Sequence, residues 1–189
     1  MDVAELPLDA RLVAVLKERG VRRLFPPQAE AVRAGVFDGR SVLLCTATAS
    51  GKSLLAEAAA VKTALEGRMA LYAVPLKALA HEKLLHFSYY GKLAKVGIST
   101  GDFESDDKRL HEYDVVVVTY EKLDSLLRHR PSWLGSVGLI VVDEIHYLGD
   151  PRGARPRVHN RQGEHLGLRA QFVGLSATVG NALSAHDGG

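Results

Sequence analysis

Val42-Leu43-Leu44-Cys45-Thr46-Ala47-Thr48-Ala49-Ser50-Gly51-Lys52-Ser53 is the stretch whose reading decides the fold. An apolar run, Val42 to Cys45, leads into a loop of small residues, then Gly51-Lys52-Ser53 and a helical pattern from Ser53 to Leu65. A strand, a tight loop, Gly-Lys-Ser and a helix start form a phosphate-binding arrangement. The loop and the helix N-terminus turn backbone N–H groups toward an anion. In that arrangement Gly51 lets the backbone come close, Lys52 sets a cation between the β- and γ-phosphates, and the Ser53 hydroxyl can ligate Mg²⁺. Thr46 stands where such loops usually carry their first glycine, and the stretch alone reads equally as a structural strand–helix turn.

Outward from this loop the chain keeps one rhythm. Further strand-like runs are Ala70 to Val74, Val96 to Thr100, Val115 to Thr119, Leu139 to Val142 and Phe172 to Leu175. Val115 to Val118 and Leu139 to Val142 are apolar at every position, as in strands covered on both faces. Helical patterns fall between the runs, at Ala78 to Leu93 and Glu121 to Arg128. The alternation predicts an α/β fold, a mostly parallel sheet with helices on both faces. Such sheets bind ligands at the carboxyl ends of their strands, which is where chemistry is to be sought. Ahead of the sheet, Asp9 to Arg19 reads as an amphipathic helix capped by Asp9 and ended by Gly20, and Pro27 opens a second helix to about Ala34.

A chain of 189 residues, 47% hydrophobic and 24% charged, can bury one sizeable core and is not compositionally disordered. Its net charge of +2 permits a nucleic-acid partner without demanding one. The single cysteine, Cys45, excludes an intrachain disulfide and a cysteine zinc cluster, and fits a reducing, cytoplasmic setting. Its apolar neighbours predict a small core residue. No signal-peptide pattern and no membrane-length apolar run is present, so no membrane partner is expected. The histidines other than His146 show no metal-ligand grouping; Trp133 reads as a packing residue, and Phe87, Tyr89 and Tyr90 as core or contact residues.

A second chemical signal is Val141-Val142-Asp143-Glu144-Ile145-His146. Two carboxylates at the tip of a buried strand are costly unless solvent or a cation receives them. Asp143 suits a Mg²⁺-linked carboxylate, and Glu144 suits a group that orients or deprotonates an attacking water. A solvated Asp-Glu pair opening a loop is the plain alternative, weakened because the phosphate loop lies in the same α/β pattern.

These motifs together resemble the first RecA-like lobe of superfamily 2 helicases of the DExH type. Thr48-Ala49-Ser50-Gly51-Lys52-Ser53 is similar to motif I, Asp143-Glu144-Ile145-His146 to motif II, and Ser176-Ala177-Thr178 to motif III. Phe25-Pro26-Pro27-Gln28 resembles the adenine-reading Q motif, Pro75-Leu76-Lys77-Ala78-Leu79-Ala80 motif Ia, Thr119-Tyr120-Glu121-Lys122-Leu123 motif Ib, and Ser99-Thr100-Gly101-Asp102 the strand-binding loop between them. The wording is most similar to the ski-like group, specifically archaeal ATP-dependent 3′–5′ DNA helicases.

The resemblance implies a P-loop NTPase that uses ATP and Mg²⁺, with Lys52, Asp143 and Glu144 catalytic. It implies nucleotide contacts from Gln28 and Thr48 to Ser53, and Mg²⁺ at Ser53 and Asp143. It implies grip on single-stranded or forked DNA, with RNA possible, by Pro75, Lys77, Gly101, Asp102, Thr119, Glu121 and Lys122. Coupling of ATP state to strand grip would run through His146, Ser176, Ala177 and Thr178. A nucleotide- or nucleic-acid-binding module without turnover is the rival of another class.

The expected division is a helical segment with the Q-motif-like entry over residues 1–36, the ATP-binding lobe over 37–181 and a tail over 182–189. Members of the family continue into a second RecA-like lobe that supplies arginine fingers, so such a lobe is expected in cis or in trans. Residues 150–169 carry prolines, glycines and arginines where the family has an aliphatic helix. Frame errors altering that segment and the tail 184–189, and so truncating the protein, would account for both.

Overall fold

Val115 to Val118 and Ile140 to Val142 offer no polar position to solvent, and the fold covers them on both sides. The computed structural model describes residues 1–46, 51–101, 105–149 and 169–177. Six strands are seen: β1 Val42–Thr46, β2 Met69–Val74, β3 Val96–Ser99, β4 Val115–Thr119, β5 Val137–Val142 and β6 Gln171–Ala177. They form one sheet in the order β1-β6-β5-β2-β4-β3, every neighbour parallel. The α/β expectation is met, and all six predicted runs are strands.

Among the described residues five α-helices accompany the sheet: α1 Ala10–Glu18, α2 Pro26–Arg33, α3 Lys52–Leu65, α4 Lys77–Phe87 and α5 Tyr120–His129. As predicted, the Asp9 side chain caps α1, accepting from the Arg11 N–H at 2.8 Å, and Gly20 follows it at φ +82°. Helix α3 packs on one face, where Leu55, Ala56, Ala59 and Ala60 meet Tyr72, Val117 and Val141. Helix α5 and the 3₁₀ turn Ser132–Ser136 after it cover the other, where Leu123, Leu126 and Trp133 meet Leu71, Val116 and Ile140. Trp133 is thus the packing residue expected.

Two details depart from the sequence reading. The helix expected from Ala78 to Leu93 stops at Phe87, and a 3₁₀ turn follows at Ser88–Tyr90. The Ser88 hydroxyl donates to the Leu85 carbonyl at 2.6 Å, and the tighter turn brings residues three apart onto one face. Phe87 and Tyr90 can then both be fully buried. Cys45 is exposed, not a core residue. It lies on β1, an edge strand among the described residues, and alternation puts it on the same side as Leu43, which is 60% exposed.

Equilibrium urea unfolding checks this division of core and edge. Ile140→Ala is expected to lower stability by about 2–5 kcal/mol, and Leu43→Ala to change it by less than about 0.5 kcal/mol.

Candidate functional site

Every strand of a parallel sheet ends at the same edge, so the segments after the strands converge there. β6 lies between β1 and β5, with Cys45 opposite Ser176 and Val142 opposite Gly174. The end of β1 and the acidic pair after β5 therefore flank the end of β6.

Lys52, the first residue of α3, is buried, and its Nζ donates to the Ser176 carbonyl at 2.7 Å. The motif III backbone thus holds the phosphate-loop lysine at the sheet edge. Gly51 has φ +70°, a left-handed conformation that strains any residue with a Cβ. A Cβ there would also lie 2.3 Å from Gln28 Nε2.

Gln28 is 4% exposed and both ends of its amide are engaged. Its Oε1 accepts from the Phe25 N–H at 2.8 Å, closing the start of α2, and its Nε2 donates to the Gly51 carbonyl at 3.0 Å. In this conformation Gln28 touches the phosphate loop.

Asp143 terminates β5 in a dense polar cage. Its N–H donates to the Ala73 carbonyl at 2.8 Å, and the Tyr120 hydroxyl donates to its carbonyl. Its Oδ1 accepts from the Glu144 N–H at 2.9 Å, and its Oδ2 accepts from the Tyr72 hydroxyl at 2.8 Å. Burial, then the Asp143 and Glu57 charges, push the Tyr72 hydroxyl well above its usual range and keep it a donor. Burial followed by the Asp143 and Glu144 charges raises Tyr120 likewise.

Glu144 has φ +55°, a left-handed conformation in a residue with a long side chain. Such strain costs on the order of 1–3 kcal/mol and gathers at functional sites. Its carboxylate is partly exposed and lies 3.3 Å from His146 Nδ1. The Ser176 hydroxyl turns to the Ala177 carbonyl at 3.1 Å, so the motif III contact seen here is made by its backbone to Lys52 rather than by its side chain to His146 or Asp143.

The residues expected to face a nucleic-acid strand divide by exposure. Lys77 at the start of α4 and Glu121 on α5 are exposed, and Pro75 is half-buried after β2. Gly101, after β3, has φ +111°. Thr119 is buried and caps α5 through its hydroxyl, which accepts from the Lys122 N–H at 3.3 Å. The Lys122 side chain is only 1% exposed, so in this conformation it is neither a solvated helix-start lysine nor open to a strand. Thr48, Ala49, Ser50, Asp102 and Thr178 lie outside the described residues, as do the atypical segment from residue 150 to 168 and the tail.

The sequence reading missed a buried ionic network behind the site. Glu57 of α3 pairs with Arg19 at 3.0 Å, with Lys83 of α4 at 3.5 Å and with His86 at 3.4 Å. Lys83 also pairs with Asp143 Oδ2 at 3.4 Å. Arg19 hydrogen-bonds the Tyr90 hydroxyl and lies over the Tyr89 ring at 4.8 Å. A usable signal was Glu57 itself, one charge in the apolar run Leu54-Leu55-Ala56-Glu57-Ala58-Ala59-Ala60-Val61.

A parallel sheet that sets a phosphate-loop lysine beside the end of β6, with an Asp-Glu pair closing β5, defines a RecA-like P-loop nucleotide-binding lobe. The model of the DEAD/DEAH box helicase family matches residues 25–185, and the chain belongs to that family. It is 79% identical over 184 residues to the ATP-dependent DNA helicase Hel308 of Pyrobaculum calidifontis, covering 96% of this chain and 26% of that protein. It is 51% identical to the protein of the same name from Caldivirga maquilingensis, covering 96% of this chain and 24% of the relative. The chain thus spans about a quarter of the length of these relatives. The crystal structure of the DUF1998 helicase MrfA bound to DNA superposes with a TM-score of 0.73 at 25% identity, covering 92% of this chain and 27% of that one.

The contact between Gln28 and Gly51 gives a thermodynamic check. Gly51→Ala is expected to lower stability by about 1–2 kcal/mol from backbone strain alone, and by more while Gln28 keeps its place. In a thermal-unfolding double-mutant cycle, Gln28→Ala should relieve the excess and leave the strain.

Proposed function

We propose that this chain is the ATP-binding lobe of an ATP-dependent DNA helicase, in which ATP hydrolysis drives single-strand translocation and duplex unwinding. The carrying observation is the gathering of Lys52, Ser53, Asp143 and Glu144 at one sheet edge. DNA as the nucleic acid is supported by the relatives, named as DNA helicases at 79% and 51% identity.

In this reading, the Lys52 ammonium exchanges the Ser176 carbonyl for the β- and γ-phosphate oxygens of ATP. The positive-φ turn at Gly51 and the start of α3 direct N–H groups to the same anion. Ser53 and Asp143 offer hard oxygen donors, and hard oxygens are what Mg²⁺ takes. Held by Ser53 and Asp143, Mg²⁺ would supply positive charge against the charge that develops on the phosphates. Glu144, partly exposed beside this cage, accepts the proton of the attacking water. The division into a helical entry over 1–36 and a lobe over 37–181 belongs to the same proposal. So does a second lobe, in cis or in trans, carrying arginines whose absence costs on the order of 10³-fold or more in rate.

The strand lies along the same edge, with its phosphates against the exposed Lys77, the Gly101 turn and the segment opened by Thr119. Backbone gripping is sequence-independent and salt-sensitive. No helix among the described residues is long and apolar enough to cross a membrane.

Two experiments test this. ATP binding and hydrolysis are measured with Mg²⁺, with and without single-stranded DNA or RNA. Lys52→Ala is expected to cost about 2–5 kcal/mol in nucleotide binding, whereas Glu144→Gln keeps binding and abolishes turnover. Nucleotide binding indifferent to Lys52 would sink the reading, and stronger stimulation by RNA would replace the substrate. In salt titrations of single-strand binding, Lys77→Ala should weaken affinity for all sequences alike and lower the salt slope by about one. Lys122→Ala, at a buried position, should instead lower the unfolding temperature.

A further inference from the structure

We infer that Lys83 is a positioning residue for the Asp143 carboxylate, tying the strand-facing helix α4 to the metal-binding edge of the ATP site. The inference rests on the ATP-site reading above and goes beyond it, since Lys83 lies outside the motif residues.

Lys83 is 8% exposed, and its Nζ lies between two carboxylates on different elements. Asp143 Oδ2 is 3.4 Å away and Glu57 Oε1 3.5 Å. The ammonium also sits over the Tyr72 ring, 5.0 Å from its centre. Tyr72 donates to the same Oδ2 at 2.8 Å. One oxygen of Asp143 is therefore held twice by side chains, while Oδ1 takes the Glu144 N–H at 2.9 Å. This two-sided hold fixes the carboxylate plane before any cation arrives.

Helical spacing completes the arrangement. Ser53 and Glu57 are four residues apart and share a face of α3, so the hydroxyl offered to the cation and the second acceptor of Lys83 stand one turn apart. Arg19 supplies Glu57 with its own cation at 3.0 Å, which leaves Lys83 able to serve Asp143.

A purely structural strut explains this less well. Buried ion pairs are a poor source of stability, because well-packed apolar residues often serve as well or better. Groups behind metal ligands, in contrast, orient them, and losing one typically costs about 10–100-fold in metal affinity or activity. Lys83 has that position, and it stands on the helix whose first residue, Lys77, faces the strand.

The test is a Mg²⁺ titration of fluorescent-ATP binding to the intact chain, with binding in EDTA as reference. Lys83→Met is expected to raise the Mg²⁺ needed for half-saturation by about 10–100-fold and to leave binding in EDTA unchanged. Lys83→Arg, whose guanidinium can span both carboxylates, should restore most of the Mg²⁺ response. Tyr72→Phe should shift it in the same direction by less. A cooperatively folded Lys83→Met with the wild-type Mg²⁺ midpoint would overturn the inference and leave the lysine a strut. Should Lys83→Met not fold, an unchanged midpoint in Tyr72→Phe overturns it instead. Wild-type binding without any Mg²⁺ dependence would remove the ATP-site reading itself, a result distinct from loss of the Lys83 effect alone.

Discussion

The carboxylate of Asp143 closes a strand with no exposed residue, and the edge of the sheet is organised around keeping that charge where it is. A buried carboxylate is tolerated only with donors and a cation at hand. Here Tyr72 comes from the neighbouring β2, Lys83 from α4 and the Glu144 N–H from the next residue, while Tyr120 at the start of α5 holds the Asp143 carbonyl. These groups belong to β2 and to the segments that follow β2, β4 and β5. The parallel register of the sheet is what delivers them to one place, with Ala73 opposite Val142 and Val74 opposite Thr119.

That cage also explains how an unfavourable backbone persists beside it. Glu144 holds a left-handed φ because its N–H is fixed to Asp143 Oδ1, while its own carbonyl accepts from the Tyr147 N–H at 3.0 Å in the 3₁₀ turn that follows. The turn ends β5 at once and leaves the Glu144 carboxylate beside solvent and His146. Gly51 has the same handedness at the other end of the site, where a residue without Cβ removes the strain and admits Gln28. The two turns differ because one must carry a carboxylate and the other must let a backbone approach.

The fold was legible because its signals are local. Val115 to Val118 and Leu139 to Val142 can only be strands buried on both faces, and the helical patterns between them leave parallel crossovers as the natural connection. The candidate nucleotide residues stood out for a similar reason, since Gly51-Lys52-Ser53 and Asp143-Glu144 carry their chemistry in residue type and spacing. Cys45 misled because apolar neighbours are shared by central and edge strands, and sheet order is not a property of any one segment. The helix expected through Leu93 misled because Phe87 and Tyr90 fit a helical face, while their joint burial favours a tighter turn.

By itself, the sequence determined the α/β class, the strands and the candidate phosphate-loop and acidic residues. Those depend on hydrophobic period and on side-chain chemistry, which neighbours along the chain define. Only the tertiary structure decided that Lys52 rests on the Ser176 carbonyl, that Gln28 clasps the phosphate loop, that Lys122 is buried, and that Lys83 joins Glu57 to Asp143. Each of these depends on residues far apart in the chain meeting at one sheet edge. A lysine's role is set by which carboxylates lie within reach in a low-dielectric interior, and sequence distance does not encode that.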